Sequence, residues 1–211
     1  MSTSINIIAL KGNHLDKATS VFETFNYVDN NNDKQFDSWD QAAGYLYDNY
    51  FEFANKEISI RGIWFDNGWT VICDPEMVDS LDDKMMETLS KKFNSDLFTF
   101  FIQSTSGSYG FFKYAPDLRR HFFASDGQIT DDQGSPLPEE SGLNINEKVF
   151  VDDIIRLAGK LGVDMNPEKT KTTFIVKELA YNETMKQQLA QFSQKPKTTN
   201  SDTQKPWWKI W

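Results

Sequence analysis

Apolar residues crowd the stretch Ser4–Leu10 (SINIIAL), which predicts a short strand ended by Lys11-Gly12-Asn13. The period then lengthens. Leu15, Ala18, Phe22 and Phe25 recur at helical spacing and share one stripe. From Asp29 to Asp37 the apolar periodicity disappears under Asn and Asp, and the stretch reads as a loop. Ser38 with Gln41 three residues later is a capping-box pattern. It opens a second helix with an aromatic-heavy face of Trp39, Ala42, Ala43, Leu46, Tyr50 and Phe53.

Glu57–Phe65 and Trp69–Cys73 are β-branched and aromatic runs joined through Asp66-Asn67-Gly68, and Asn-Gly supplies the positive φ angles of a tight hairpin turn. Trp64 and Trp69 bracket that turn as a candidate cross-strand aromatic pair, structural first and a binding surface second. Asp74-Pro75-Glu76 stops the hairpin, and Ser80 with Asp83 caps a third helix bearing Leu81, Met85, Leu89 and Phe93. Asp96–Gln103 is apolar almost throughout, as a central strand covered on both faces would be. Tyr109–Tyr114, Leu118–Ser125 and Gln128–Thr130 form a meander turning at Ala115-Pro116-Asp117 and Asp126-Gly127. Gly134–Glu140 (GSPLPEE) is a Pro-stiffened crossing that leaves the sheet.

Val149, Ile154, Leu157, Ala158 and Leu161 make a fourth amphipathic helix ended by Gly162. Thr172–Leu179 alternates as a strand, and Asn182 caps a final helix carrying Met185, Leu189 and Phe192. Together these elements predict one α+β domain over residues 1–192, a mostly antiparallel sheet of six to eight strands with helices packed mainly on one face. Residues 193–211 are expected to form a flexible basic linker tipped by Trp207, Trp208 and Trp211, which docks on the protein itself, on a partner or at a membrane interface.

Composition sharpens this picture. With 17 Phe, 7 Tyr and 6 Trp among 211 residues, the chain has ample material for a core. The net charge is −9, yet residues 191–211 hold four Lys and one Asp; that segment is +3, leaving −12 on residues 1–190. An acidic body disfavours direct contact with nucleic acid and steers towards a basic partner. The single cysteine, Cys73, has no partner for an internal disulfide, and no charged-then-apolar leader opens the sequence; the expectation is a cytoplasmic protein. No apolar run approaches the roughly 18 residues of a membrane-spanning helix, so no integral membrane association is expected.

Three groups of residues are candidates for chemistry. Asp29, Asn31, Asp33, Gln35 and Asp37 fall on alternate positions with Asp40 at the twelfth, the oxygen-ligand spacing of a calcium-binding helix–loop–helix. Lys34 stands where that loop needs glycine, and Asp40 is shorter than the usual Glu; a solvated inter-helix loop is the competing interpretation. Arg119 and Arg120, adjacent in a strand, must point to opposite faces, so one of the two lies against apolar surface and needs a carboxylate. Arg61 and Arg120 also echo one another: each precedes an Asn-Gly or Asp-Gly turn and an acidic, Pro-containing exit. The short nucleophile, zinc, phosphate-loop and dinucleotide motifs are missing, and with His14 and His121 the only histidines a triad has little raw material.

The segment RGIWFDNGWTVICDPE (61–76), with Tyr109-Gly110-Phe111, Arg119-Arg120, Asp126-Gly127 and the G-x-P-L-P-E-E run at 134–140, resembles poorly characterised bacterial proteins. Some of these are placed near immunity proteins of contact-dependent or secreted toxin systems. The likeness spans about residues 55–165 and implies no catalytic residues. The expectation is a non-enzymatic protein-binding module, an immunity protein neutralising a basic toxin, with Arg61, Trp64, Trp69, Arg119, Arg120 and the three tail tryptophans as binding candidates. A small-ligand protein or enzyme with its site near Arg61, Arg119 or Arg120 is the alternative; calcium-linked interaction through Asp29–Asp40 is a further one.

Overall fold

A computed structural model describes residues 4–115, 119–143 and 149–194. The elements in chain order are β1 (Ser4–Lys11), α1 (Ala18–Thr24), β2 (Tyr27–Phe36), α2 (Trp39–Ala54), β3 (Ile58–Asp66), β4 (Trp69–Cys73), α3 (Asp83–Phe93), β5 (Leu97–Gln103), β6 (Ser108–Tyr114), β7 (Arg119–Ser125), β8 (Gln128–Gln133), α4 (Val151–Lys160), β9 (Phe174–Tyr181) and α5 (Glu183–Gln194). All nine strands join one antiparallel sheet in the order β2-β9-β3-β4-β1-β5-β6-β7-β8.

The α+β class and the antiparallel sheet are as the sequence predicts, with two differences. Among the described residues there are nine strands rather than six to eight, because the Asn/Asp stretch is strand β2 and not a loop. It pairs with β9 from Tyr27↔Tyr181 to Phe36↔Phe174, bulging between Asp29 and Asn32, where Asn31 takes φ 56°. Secondly, helices cover both faces. Trp39, Ala42 and Leu46 of α2 join Ile154, Leu157 and Ala158 of α4 in one core layer. Ala18, Val21 and Phe22 of α1 join Met86 and Leu89 of α3 in the other. Two layers are required because interior strands are apolar on both sides: β1 sends Ile7 and Ala9 into the first and Ile8 and Leu10 into the second.

Local details adjust the predicted boundaries. The β3–β4 hairpin turns through Asn67 and Gly68 at φ 48° and 82°, as the Asn-Gly pair requires. Its register sets Trp64 opposite Val71 and Trp69 opposite Asp66, so the two indoles are not a directly opposed pair. Instead Trp64 packs against Trp39 and Phe174, with ring centroids 5.1 and 5.5 Å away, and Trp69 packs edge-on to Phe98. Helix α3 is capped by Asp82, which accepts from the Met85 amide at 2.9 Å; Ser80 instead belongs to a 3₁₀ turn, Asp79–Leu81. Gly134–Glu140 leaves the sheet after β8 ends at Gln133, as the sequence predicts, but stays close against β7. Gly134, at φ +84°, lets the chain fold back so closely that a Cβ there would lie 2.2 Å from the Arg119 carbonyl oxygen.

Candidate functional site: two buried arginine clusters

Strand alternation turns Arg61 of β3 into the α1/α3 layer, where the side chain is 0% exposed. Its Nε donates to Asp79 Oδ2 at 2.6 Å, one Nη donates to the Tyr27 hydroxyl at 2.7 Å, and the same nitrogen lies 2.7 Å from Glu76 and 3.3 Å from Asp74. Asp74 also organises the chain leaving β4: it accepts from the amides of Glu76, Val78 and Asp79 at 2.7–2.9 Å. Three carboxylates thus face one guanidinium. Burial works against the Arg61 charge, but Asp74 and Asp79 outweigh it and hold the pKa well above its ordinary value. Burial pushes the Asp79 carboxyl up to about 6; Arg61 opposes that rise and Asp74 adds to it.

Arg120 of β7 points the other way, into the α2/α4 layer, and is equally enclosed. Its Nε and one Nη make a two-pronged contact with Glu140 at 2.8 Å each, and the other Nη bonds Asp132 and the Gln133 carbonyl. Glu140 also accepts from the Leu137 amide at 2.8 Å, which closes the 3₁₀ turn Pro138–Glu140. The pair itself, with Asp132, forms the polar side of a cavity of about 360 Å³ whose other walls include Phe122, Pro136, Leu137 and Leu143. The hydrogen bonds that Arg120 donates to Glu140 are the foremost cause holding its pKa above the ordinary value. Every guanidinium nitrogen of Arg61 and Arg120 already has a hydrogen-bond partner within the chain.

Arg119 is the exposed member of the Arg-Arg pair. On the α3 side its guanidinium meets Asp83 and lies 2.9 Å from Glu87, and its Nε donates to His121 Nε2 at 2.8 Å. That bond requires a neutral imidazole, and burial lowers the His121 pKa in the same sense. Tyr114 donates to Asp83 at 2.6 Å. Together these contacts tie β6 and β7 to the start of α3.

Most of the residues with calcium-loop spacing lie along strand β2 rather than in a loop between helices. Asp29 and Asp33 both accept from Lys177 Nζ at 2.9 Å, so an ammonium from β9 occupies the position between them that a cation would take. Asn31 stands at the bulge, and Gln35, Asp37 and Asp40 are exposed further along β2 and into α2. Among the described residues no group of three or more His, Cys, Asp or Glu side chains is placed to hold a metal ion. Trp64 and Trp69 are buried in the core. Trp207, Trp208 and Trp211 lie outside the described residues.

Asp79, Tyr27, Glu140 and Lys177 are the residues that sequence reasoning did not assign. For Glu140 and the Asp74 turn a signal was present, since the echo of arginine, tight turn and acidic Pro-containing exit marks both clusters. In each, the first strand of a hairpin supplies the arginine and a 3₁₀ turn after the second strand supplies the carboxylate that meets its Nε. For Tyr27 and Lys177 no local signal exists, because their partners come from distant strands.

The fold and these sites define an acidic α+β protein that spends its buried cations on internal ion pairs. No protein-family model matches the chain, and neither the curated proteins nor the solved structures contain a match.

Proposed function

We propose that this is a non-enzymatic protein-binding module that captures a basic partner, in its specific form a bacterial immunity protein that neutralises a basic toxin. The outer face of α2 carries the reading. Asp40 and Asp48 are exposed eight residues apart, Glu52 follows but is paired with Lys56 at 2.6 Å, Phe51 stands 70% exposed beside them, and Trp39–Ala54 contains no Lys or Arg. An acidic stripe next to an aromatic anchor is suited to a basic protein surface: the charges steer the encounter and the ring supplies desolvated contact. The buried arginines argue against the ligand-site alternative, since their guanidinium groups are already held by carboxylates.

Co-purification of the tagged chain with the products of adjoining genes tests the proposal. The expected result is a basic partner whose capture falls steeply between low and physiological salt, and falls again in the double variant Asp40→Lys/Asp48→Lys. Recovery of no partner, together with unchanged toxin sensitivity when the gene is deleted, sinks it.

A further inference from the structure

The turn after β4 is fixed to an unusual degree. Asp74 holds three of its amides, Arg61 holds Asp74, Glu76 and Asp79 together, and Met77 is kept at φ 59°, an uncommon conformation for a side chain of that size. What this rigid frame presents outward is apolar: Val78 is 52% exposed and Leu81 42%. Asp82 and Asp83 stand next to the pair: Asp82 caps α3 through the Met85 amide, and Asp83, though it pairs with Arg119 and accepts from Tyr114, keeps a side chain 51% exposed. An apolar pair on a pre-ordered backbone with an acidic rim is matched by a segment that carries large apolar side chains among lysines.

The chain contains such a segment. Lys205-Pro206-Trp207-Trp208-Lys209-Ile210-Trp211 supplies three indoles and an isoleucine among lysines, within a stretch of charge +3. Its root is in the right place. Strand β9 ends at Tyr181, whose surroundings include Ser59, Glu76, Arg61 and Asp79, and Met185 of α5 packs in the same layer as α1 and α3. With 12 residues, α5 is about 18 Å long. The 13 residues from Gln194 to Trp207 span more than about 40 Å when extended, enough to return along the helix to its start.

We infer that the Trp-rich segment 207–211 docks in cis on the Val78/Leu81 turn, its indoles covering the apolar pair and its lysines meeting the acidic rim. The interaction is separate from the α2 surface and does not depend on the partner proposed there.

The test uses the full chain with a nitroxide on Lys84→Cys, one turn from the pair. Cys73 is fully buried, so only the introduced thiol is labelled. Trp39, Trp64 and Trp69 all lie in the opposite core layer and serve as reference indole signals. The expected result is strong paramagnetic broadening of the indole N–H signals of Trp207, Trp208 and Trp211. The double variant Val78→Ser/Leu81→Ser should lower the docked-to-free ratio about tenfold, since two exposed apolar contacts are lost without disturbing the core. Tail indoles that stay sharp, or broaden equally in the Ser variant, overturn the inference. So does stronger broadening from a label at Asp48→Cys, which would place the tail on α2. Broadening only when labelled and isotope-enriched chains are mixed would make the occupant a second copy and overturn docking in cis.

Discussion

At the scale of single residues, Asp79 is where burial and charge compete most openly. It is 5% exposed and bonded to Arg61 and Tyr27, yet it shares that arginine with two other carboxylates. Its native pKa of about 6 lies above the roughly 3.9 of an unfolded aspartate, so the folded chain holds this proton more tightly. The stabilisation from Asp79 is therefore fully present below about pH 4 and is lost as pH rises through about 6. Urea denaturation of wild type and Asp79→Asn at pH 4 and pH 7 measures this. The wild type should lose on the order of 2–3 kcal/mol more between those pH values than the variant, and parallel pH profiles would contradict the assignment. At Cys73 burial wins: it pushes the thiol up to about 12, with Asp74 adding to the rise and the Tyr47 hydroxyl and Arg61 opposing it, which disfavours the thiolate.

At the scale of elements, the two hairpin–turn units show how a short motif fixes a large side chain. The run G-S-P-L-P-E-E works as a clip. Gly134 permits the close approach to β7, Pro138 starts the 3₁₀ turn, and Glu140 reaches back to Arg120 while holding the Leu137 amide. Substituting Gly134→Ala puts a methyl group 2.2 Å from the Arg119 carbonyl oxygen at a positive φ of 84°. The expected cost is about 2–4 kcal/mol, read as a lower denaturation midpoint, with Gly127→Ala as a comparison at positive φ where nothing lies within 4 Å. Equal losses at the two glycines would show that conformation alone, and not the approach to Arg119, sets the requirement. Strand β2 teaches the reverse lesson: an element of Asn and Asp becomes a strand because β9 offers a full ladder and Lys177 neutralises two of its carboxylates.

At the scale of the whole molecule, the sheet is most strongly supported at its middle. β4, β1 and β5 are flanked by strands on both sides and buried on both faces, while β2 and β8 form the edges. The edges are polar, with YVDNNNDKQF on one side and QITDDQ on the other, a composition that discourages strand-to-strand association. Amide exchange should accordingly be slowest in β1, β4 and β5 and fastest in β2 and β8. Comparable protection in β8 and β5 would mean that another chain covers that edge.

Several features were legible in the sequence because their causes are local. Periodicity marked the helices and most strands, Asn67-Gly68 marked the first hairpin, and alternation put Arg119 and Arg120 on opposite faces with one of them needing a carboxylate. The acidic balance, and with it the class of partner proposed, is likewise a property of composition. Other features depended on residues far apart in the chain. β2 is a strand only because β9, about 150 residues later, pairs with it, and the apparent cation loop is filled by Lys177 of that same strand. Arg61 is buried because Tyr27, Asp74, Glu76 and Asp79 converge on it from β2 and from the turn after β4. Ladder pairing and ion pairing join groups that sequence separation does not order, so only the folded sheet could decide which carboxylates are paired inside and which remain at the surface.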